Sequence, residues 1–197
     1  MISDETLASM DTQGVWLGQY MHSFVPNPDE VFTDLLNEIE WEQRETARAE
    51  HYSSDLNIPY TYGKGPGIRT YHPHPYHRHV LRVKEKLETT LGTTLDVCFL
   101  NLYHDGSNHL GWHADDSPVM DDARPIITVS LGQPREIWFR PQNDREAITK
   151  IMLGHGSMFA MRPGLQDTHY HRIPKAGFSP CGPRISLTFR GYVEQVG

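Results

Sequence analysis

Two imidazoles and one carboxylate are the side chains of this sequence best placed to do chemistry. His113 and Asp115 stand two apart, and His171 follows 58 positions after the first. On an extended strand residues i and i+2 project to one face, so His113 and Asp115 can hold one ion side by side. The third ligand must then arrive from a distant strand. The run Thr168-His169-Tyr170-His171-Arg172-Ile173-Pro174 offers two imidazoles on one face. His171, just before the Ile-Pro turn, is the better candidate, which leaves His169 a supporting or surface place. Two His and one carboxylate leave half of an iron coordination sphere open. A catalytic zinc site can use the same three ligands with water in the remaining place.

The arginines separate the two metals. Arg184, Ser186, Thr188 and Arg190 alternate with Ile185, Leu187 and Phe189, the pattern of a strand with one polar and one apolar face. A guanidinium is the group that grips a planar carboxylate in a two-pronged way. Two of them pointing the same way inside a small barrel repel each other unless an anion sits between or beside them. Iron with a carboxylate cosubstrate is therefore the sharper expectation. The bland alternative is an exposed strand with solvated arginines and structural histidines.

The elements that must position these residues fall into two halves. Asn27-Pro28-Asp29-Glu30 reads as a helix start, with a capping side chain, a proline in the first turn and acids at the positive end of the dipole. Val31, Phe32, Leu35, Leu36 and Ile39 mark its apolar face to about residue 41. A second helix is expected over 77–91, with Gly92 as its stop. Residues 1–26 read as an irregular or short-strand lead, and 52–76, rich in Tyr, Pro and Gly, as loop or irregular strand. Past residue 94 the pattern turns short and extended, with strands expected at 96–103, 126–131, 136–140, 148–152, 157–161, 168–173 and 185–192. The fold class this predicts is mainly β with flanking helices: a barrel or jelly roll with two N-terminal helices packed on one sheet. One domain is expected over 1–197, in which 1–94 supplies the helices and a recognition region and 95–197 the catalytic β core.

Composition narrows the partners. The chain has 197 residues, 38% of them hydrophobic and 10% aromatic, and no apolar run reaches the roughly 20 residues of a membrane helix. A net charge of −7 argues at first against nucleic acid. Residues 1–50, however, balance to −9 and residues 51–197 to +2. Residues 63–86 carry Lys64, Arg69, Arg78, Arg82, Lys84 and Lys86 against the single acid Glu85, interleaved with four histidines, Tyr71 and Tyr76. Such a mixture suits phosphate contact and base stacking, and suits a solvated helix face equally well. The first residues lack the features of a secretion signal, so an intracellular, cytoplasmic protein is expected, with Cys98 and Cys181 as free buried thiols.

Taken together, the motifs resemble those of the AlkB family of Fe(II)/2-oxoglutarate-dependent dioxygenases, which remove alkyl lesions from nucleic-acid bases. The marks are Pro59-Tyr60-Thr61-Tyr62-Gly63, Asn101-Leu102-Tyr103, Gly111-Trp112-His113-Ala114-Asp115-Asp116, His155-Gly156-Ser157, His171-Arg172-Ile173-Pro174 and the run from Pro183 to Arg190. The resemblance implies a double-stranded β-helix with His113, Asp115 and His171 on iron and O2 as co-reactant. It further implies that Asn101, Tyr103, Arg184, Ser186 and Arg190 hold 2-oxoglutarate, Arg184 on the distal carboxylate and Arg190 nearer the metal. Tyr62 and His113 would sandwich a flipped base and Tyr60 would line its pocket, with Asp116 at the base edge and Arg69 beside the substrate. Core packing remains the alternative for each tyrosine. The implied activity is oxidative demethylation of bases of the 1-methyladenine or 3-methylcytosine type, in DNA rather than RNA, by a monomer. Hydroxylation of RNA, installation of a base modification and protein hydroxylation are the alternatives. Two positions depart from the family pattern: Ser117 stands where members often carry an acid, and Ser186 where they often carry an amide. The segment Arg44-Glu45-Thr46-Ala47-Arg48 is a plausible strand-gripping contact.

Overall fold

Proline in the first turn and acids beside it do start a helix: α1 runs Pro28–Glu38. Its cap differs from expectation. Asn27 sits in the left-handed region at φ 49, makes no side-chain cap bond, and closes the turn through its backbone carbonyl to Val31 N–H. Asparagine tolerates that region better than most residues. The helix stops short of Trp41, because Ile39 is already extended. The second helix, α2 (Arg78–Leu91), ends as its sequence demands, with Gly92 at φ 62 donating to the Glu88 carbonyl. The computed structural model describes residues 6–43, 48–62 and 68–193, and of Tyr62 the backbone alone.

Fourteen strands are present among the described residues. The first six are β1 (Thr6–Met10), β2 (Trp16–Met21), β3 (Glu42–Gln43), β4 (Ala49–Ser54), β5 (Tyr60–Tyr62) and β6 (Arg69–Tyr71). After α2 come β7 (Val97–Tyr103), β8 (Leu110–His113), β9 (Ile126–Gly132) and β10 (Arg135–Pro141). The chain closes with β11 (Thr149–Leu153), β12 (Ser157–Met161), β13 (His169–Ile173) and β14 (Arg184–Arg190). Eight of them form one sheet in the order β1-β2-β12-β9-β14-β7-β4-β3, and four form a second in the order β11-β10-β13-β8. All pairings within both sheets are antiparallel. This is a mainly β architecture built on two antiparallel sheets.

Two stretches are more regular than their sequences suggest. The lead folds into the β1–β2 hairpin, whose turn is organised by Asp11 accepting from the backbone N–H groups of Gln13 and Val15. The hairpin extends the large sheet through β2 and β12. The stretch expected as loop or irregular strand over 52–76 opens inside β4, a six-residue strand buried at every position. Its Glu50, His51, Ser53 and Ser54 conceal it as a strand, since polar residues rarely line an interior. The large sheet therefore takes strands from both sides of residue 94.

β14 shows how the layers divide. Ile185, Leu187 and Phe189 lie in an apolar cluster with Val31 and Leu35 of α1, Val80, Val83 and Leu87 of α2, and Leu100 and Ile127 of the large sheet. Its other face, Arg184 to Arg190 at alternate positions, looks into the space between the sheets. There Tyr103 and Phe159 of the large sheet meet Ile137, Phe139 and Ile173 of the small one. Cys98 is buried and Cys181 only half-buried, and both are free thiols. Cys181 lies in the loop before β14 and outside the apolar clusters. Among the described residues no helix is long and apolar enough to cross a membrane.

Candidate active site

His113 and His171 face each other across two paired strands, β8 and β13, with ring centroids 4.2 Å apart. β8 ends at His113, so Asp115 is not a strand residue as its spacing suggested. The chain turns instead, and Gln166 accepts from the Asp115 backbone N–H at 2.9 Å. The carboxylate nevertheless lies 3.5 Å from His113 Nε2 and 3.6 Å from His171 Nε2. All three ligand-type atoms fall within 4.8 Å of one another. His113 Nδ1 donates to the Gly111 carbonyl at 2.8 Å, which leaves Nε2 as the lone-pair nitrogen.

Burial pushes the Asp115 carboxyl up, but Arg190 and the two imidazoles outweigh it and hold the pKa at about 2. Arg190 Nη2 lies 2.7 Å from Asp115 Oδ2. Burial, with His113 adding to it and Asp115 opposing, pulls His171 down to about 3. Both side chains are thus held in the forms that bind a cation: an ionised carboxylate and a neutral imidazole. His169 is neither a ligand nor a surface residue. It is buried at the other end of β13, 3.0 Å from Asp11 Oδ2, and ties that strand to the lead hairpin.

Beside this trio the registers of β7, β9 and β14 stack a row of polar groups. Ser186 pairs with Asn101 on one side and Ser130 on the other, and Arg184 pairs with Tyr103. Arg184 is fully buried at 0% exposure. Its Nε donates to Ser130 Oγ at 2.8 Å, its Cζ lies 5.2 Å from the Tyr103 ring centroid, and Nη1 and Nη2 have no hydrogen-bond partner. Burial lowers its pKa to about 10, with Arg135 adding to the fall and Tyr103 opposing it. A buried cation with an empty fork is costly unless an anion completes it. The donor set therefore fits ferrous iron next to an organic diacid: two imidazoles, one carboxylate, and an orphaned guanidinium on the neighbouring strand.

Two residues of this site carried no signal as ligand holders in the sequence. Arg48 Nε donates to Asn101 Oδ1 at 2.7 Å, and its Nη2 lies 2.8 Å from the buried carboxylate of Glu50. With its oxygen engaged, Asn101 keeps its amide N–H groups for an acceptor in the pocket. Glu50 also accepts from Tyr71 Oη at 2.7 Å and lies 3.5 Å from Arg69. A buried acid two residues after a basic one is the only trace of this in the sequence. Arg44 and residues 45–47 of the expected contact segment lie outside the described residues.

The substrate candidates are dispersed. Tyr60 is 3% exposed, packed among Tyr52, Tyr71 and Phe99 with ring centroids 6.0 to 6.4 Å away. The backbone of Tyr62 pairs with Arg69 in the β5–β6 hairpin, and its side chain lies outside the described residues. Asp116 is exposed beside the trio. Several cations of the basic stretch are already engaged within the fold. Arg78 is paired with Asp34 and Glu38, Lys84 with Glu88, and Lys86 donates to the Phe24 carbonyl. Of these contacts, those of Arg78 fasten α2 to α1.

Fold and donor set together define a class, the oxygenases that use ferrous iron and 2-oxoglutarate. Residues 19–190 match the 2OG-Fe(II) oxygenase superfamily. The chain is 29% identical over 177 residues to the DNA oxidative demethylase ALKBH2 of Homo sapiens, covering 82% of this chain and 67% of that one. It is 32% identical over 174 residues to the alpha-ketoglutarate-dependent dioxygenase alkB homolog 3 of Bos taurus, covering 82% of this chain and 60% of that one. The structure of OsALKBH1 shares the fold with a TM-score of 0.65 at 16% identity, over 95% of this chain and 100% of that one. The chain belongs to the AlkB family of Fe(II)/2-oxoglutarate-dependent dioxygenases.

Proposed function

We propose that this protein removes alkyl groups from damaged bases in DNA, with methyl groups of the 1-methyladenine and 3-methylcytosine type as substrates. The observation that carries this reading is the connection between the aromatic β5–β6 hairpin and the cosubstrate row. Tyr71 and Arg69 of the hairpin meet Glu50, Glu50 meets Arg48, and Arg48 meets Asn101. A substrate platform and a diacid pocket thus share one polar network. The name of the human relative points the same way.

In this reading the double-stranded β-helix, braced by α1 and α2, holds iron on His113, Asp115 and His171. Iron with 2-oxoglutarate and O2 supplies an oxidant strong enough to hydroxylate a carbon attached to a base nitrogen. Arg184 grips the distal carboxylate of the cosubstrate, with Tyr103 and the Asn101 amide beside it, and Ser186 donates where other members use an amide. Arg190 keeps Asp115 ionised and fixed. The hydroxylated methyl is a hemiaminal: its hydroxyl loses a proton to solvent, the C–N bond breaks, and formaldehyde and the restored base separate. The base must leave its helix to reach the site, at a cost of a few kcal/mol that is least for a mispaired or single-stranded base. Tyr62 and His113 stack on it and Asp116 accepts from its edge.

The test is product analysis with ferrous iron and 2-oxoglutarate on methylated DNA, methylated RNA and unmodified DNA. Loss of the methyl group from DNA, matched by succinate release, is the expected result. Faster demethylation of RNA moves the substrate to the other polymer. Hydroxylation without base recovery in any of them overturns the reading.

A further inference from the structure

The outer face of the small sheet carries a second arrangement that the oxygenase chemistry does not use. Lys150 lies opposite Trp138 in the β10–β11 pair, and Trp138 opposite Arg172 in the β10–β13 pair. The Lys150 ammonium stands 4.3 Å from the Trp138 ring centroid, and the Arg172 guanidinium 4.2 Å from the same ring. Arg172 and Arg140 each lie over Trp112 of the edge strand β8, at 4.7 Å and 4.4 Å. Arg140 also approaches Tyr170, at 5.9 Å. Cations and rings thus alternate across all four strands of the sheet.

These cations differ from Arg69, Arg78 and Lys84, which are paired with Glu50, with Asp34 and Glu38, and with Glu88. Among the described residues, Arg140, Arg172 and Lys150 enter no ion pair, and the Nε atoms of both arginines are buried without a hydrogen-bond partner. One acid on this face, Glu136, accepts from Trp138 Nε1 at 2.7 Å and sits at the end of β10 away from Arg140. Arg172 is held below the usual arginine range by burial and by Arg140 beside it. The indoles pin the guanidinium planes, so little side-chain freedom remains to be lost when an anion binds. Their faces are covered by the cations, which disfavours base stacking and favours contact with phosphate.

Position supplies the partner. Trp112 and Arg172 are the chain neighbours of His113 and His171, and alternation puts each pair on opposite faces of one sheet. The strip is therefore the outer side of the wall that carries two of the metal ligands, and it reaches the sheet edge at β8. We propose that this face binds the phosphodiester backbone of the chain flanking the substrate base. The inference rests on the nucleic-acid substrate proposed above and adds a place for the polymer outside the pocket.

The experiment replaces Arg140, Arg172 and Lys150 together by Gln and measures binding of a long methylated oligonucleotide across a salt series. Turnover of a methylated trinucleotide serves as control. The expected result is a slope of log affinity against log salt shallower by about 2 to 3, from about 0.7 to 0.9 per lost phosphate contact, with trinucleotide turnover unchanged. Arg140→Lys with Arg172→Lys should restore most of the slope. An unchanged slope, or equal losses on the long and short substrates, overturns the proposal. So does competition by polyglutamate as strong as by an unmodified oligonucleotide, which would mark a general anion face. If the triple variant does not fold, Lys150→Glu alone, at an exposed position, must still lower long-chain affinity selectively. A wild-type protein that turns over the trinucleotide but gains no affinity for longer chains defeats the strip alone. One that acts on neither defeats the substrate reading as well.

Discussion

Arg184 and Arg190 lie six residues apart on the same face of β14, and their surroundings are opposite. Arg190 is matched from within, 2.7 Å from the Asp115 carboxylate. Arg184 is more deeply buried, yet its two terminal nitrogens have no hydrogen-bond partner and only Ser130 meets its Nε. A buried pair whose partner is internal serves geometry, here the aim of a metal ligand. A buried cation left open serves recognition, because only a molecule from outside can complete it. In the proposed reading, the two ends of one strand separate the metal half of the site from the cosubstrate half.

The sharpest way to break this contrast is Asp115→Ala, which removes the carboxylate that Arg190 and both imidazoles face. Turnover should fall to background, and calorimetry under anaerobic conditions should show ferrous binding lost. Retained binding would dissolve the trio. Next, Arg184→Met and Arg190→Met should move the stability of metal-free, cosubstrate-free protein in opposite directions. Arg190→Met strands Asp115 and should cost roughly 3–5 kcal/mol in chemical denaturation, whereas Arg184→Met removes an uncompensated charge and should be neutral or stabilising. In turnover, Arg184→Met should raise the 2-oxoglutarate KM at least about 30-fold, the equivalent of about 2 kcal/mol for a lost buried charge contact.

A smaller effect is expected at Glu50→Gln, which loosens Arg48 and with it the Asn101 amide. The KM for 2-oxoglutarate should rise about three- to tenfold with kcat little changed, as for a lost hydrogen bond of about 1 kcal/mol. A fall in kcat without a change in KM would place Glu50 on the substrate side. The smallest effect lies farthest from the site. Glu38 is held at about 2, mainly by hydrogen bonds from Arg78 and His77. Because its folded pKa is depressed, its contribution is present above the usual carboxylate range near 4.5 and is lost as pH falls toward 2. Arg78→Gln should therefore flatten the acid branch of a melting-temperature profile and leave the neutral region nearly unchanged.

Much of the candidate site was visible in the chain. Residue types and period-two spacing placed Arg184, Ser186, Thr188 and Arg190 on one face, and ligand chemistry selected His113, Asp115 and His171. Less visible were residues whose meaning depends on a distant partner. β4 reads as polar because Glu50 and His51 are satisfied only after Arg48, Tyr71 and the Glu40 carbonyl close around them. Arg78 of the basic run reads as an anion contact until α1 brings Asp34 and Glu38 against it.

Local order therefore settled which side chains alternate, where the second helix stops and which atoms can ligate a cation, since those properties follow from backbone period and side-chain chemistry. Tertiary structure decided which charges would be neutralised. Coulomb energy and desolvation depend on neighbours brought together across the fold, and no spacing along the chain encodes that Arg190 finds a carboxylate while Arg184 finds the Ser130 hydroxyl.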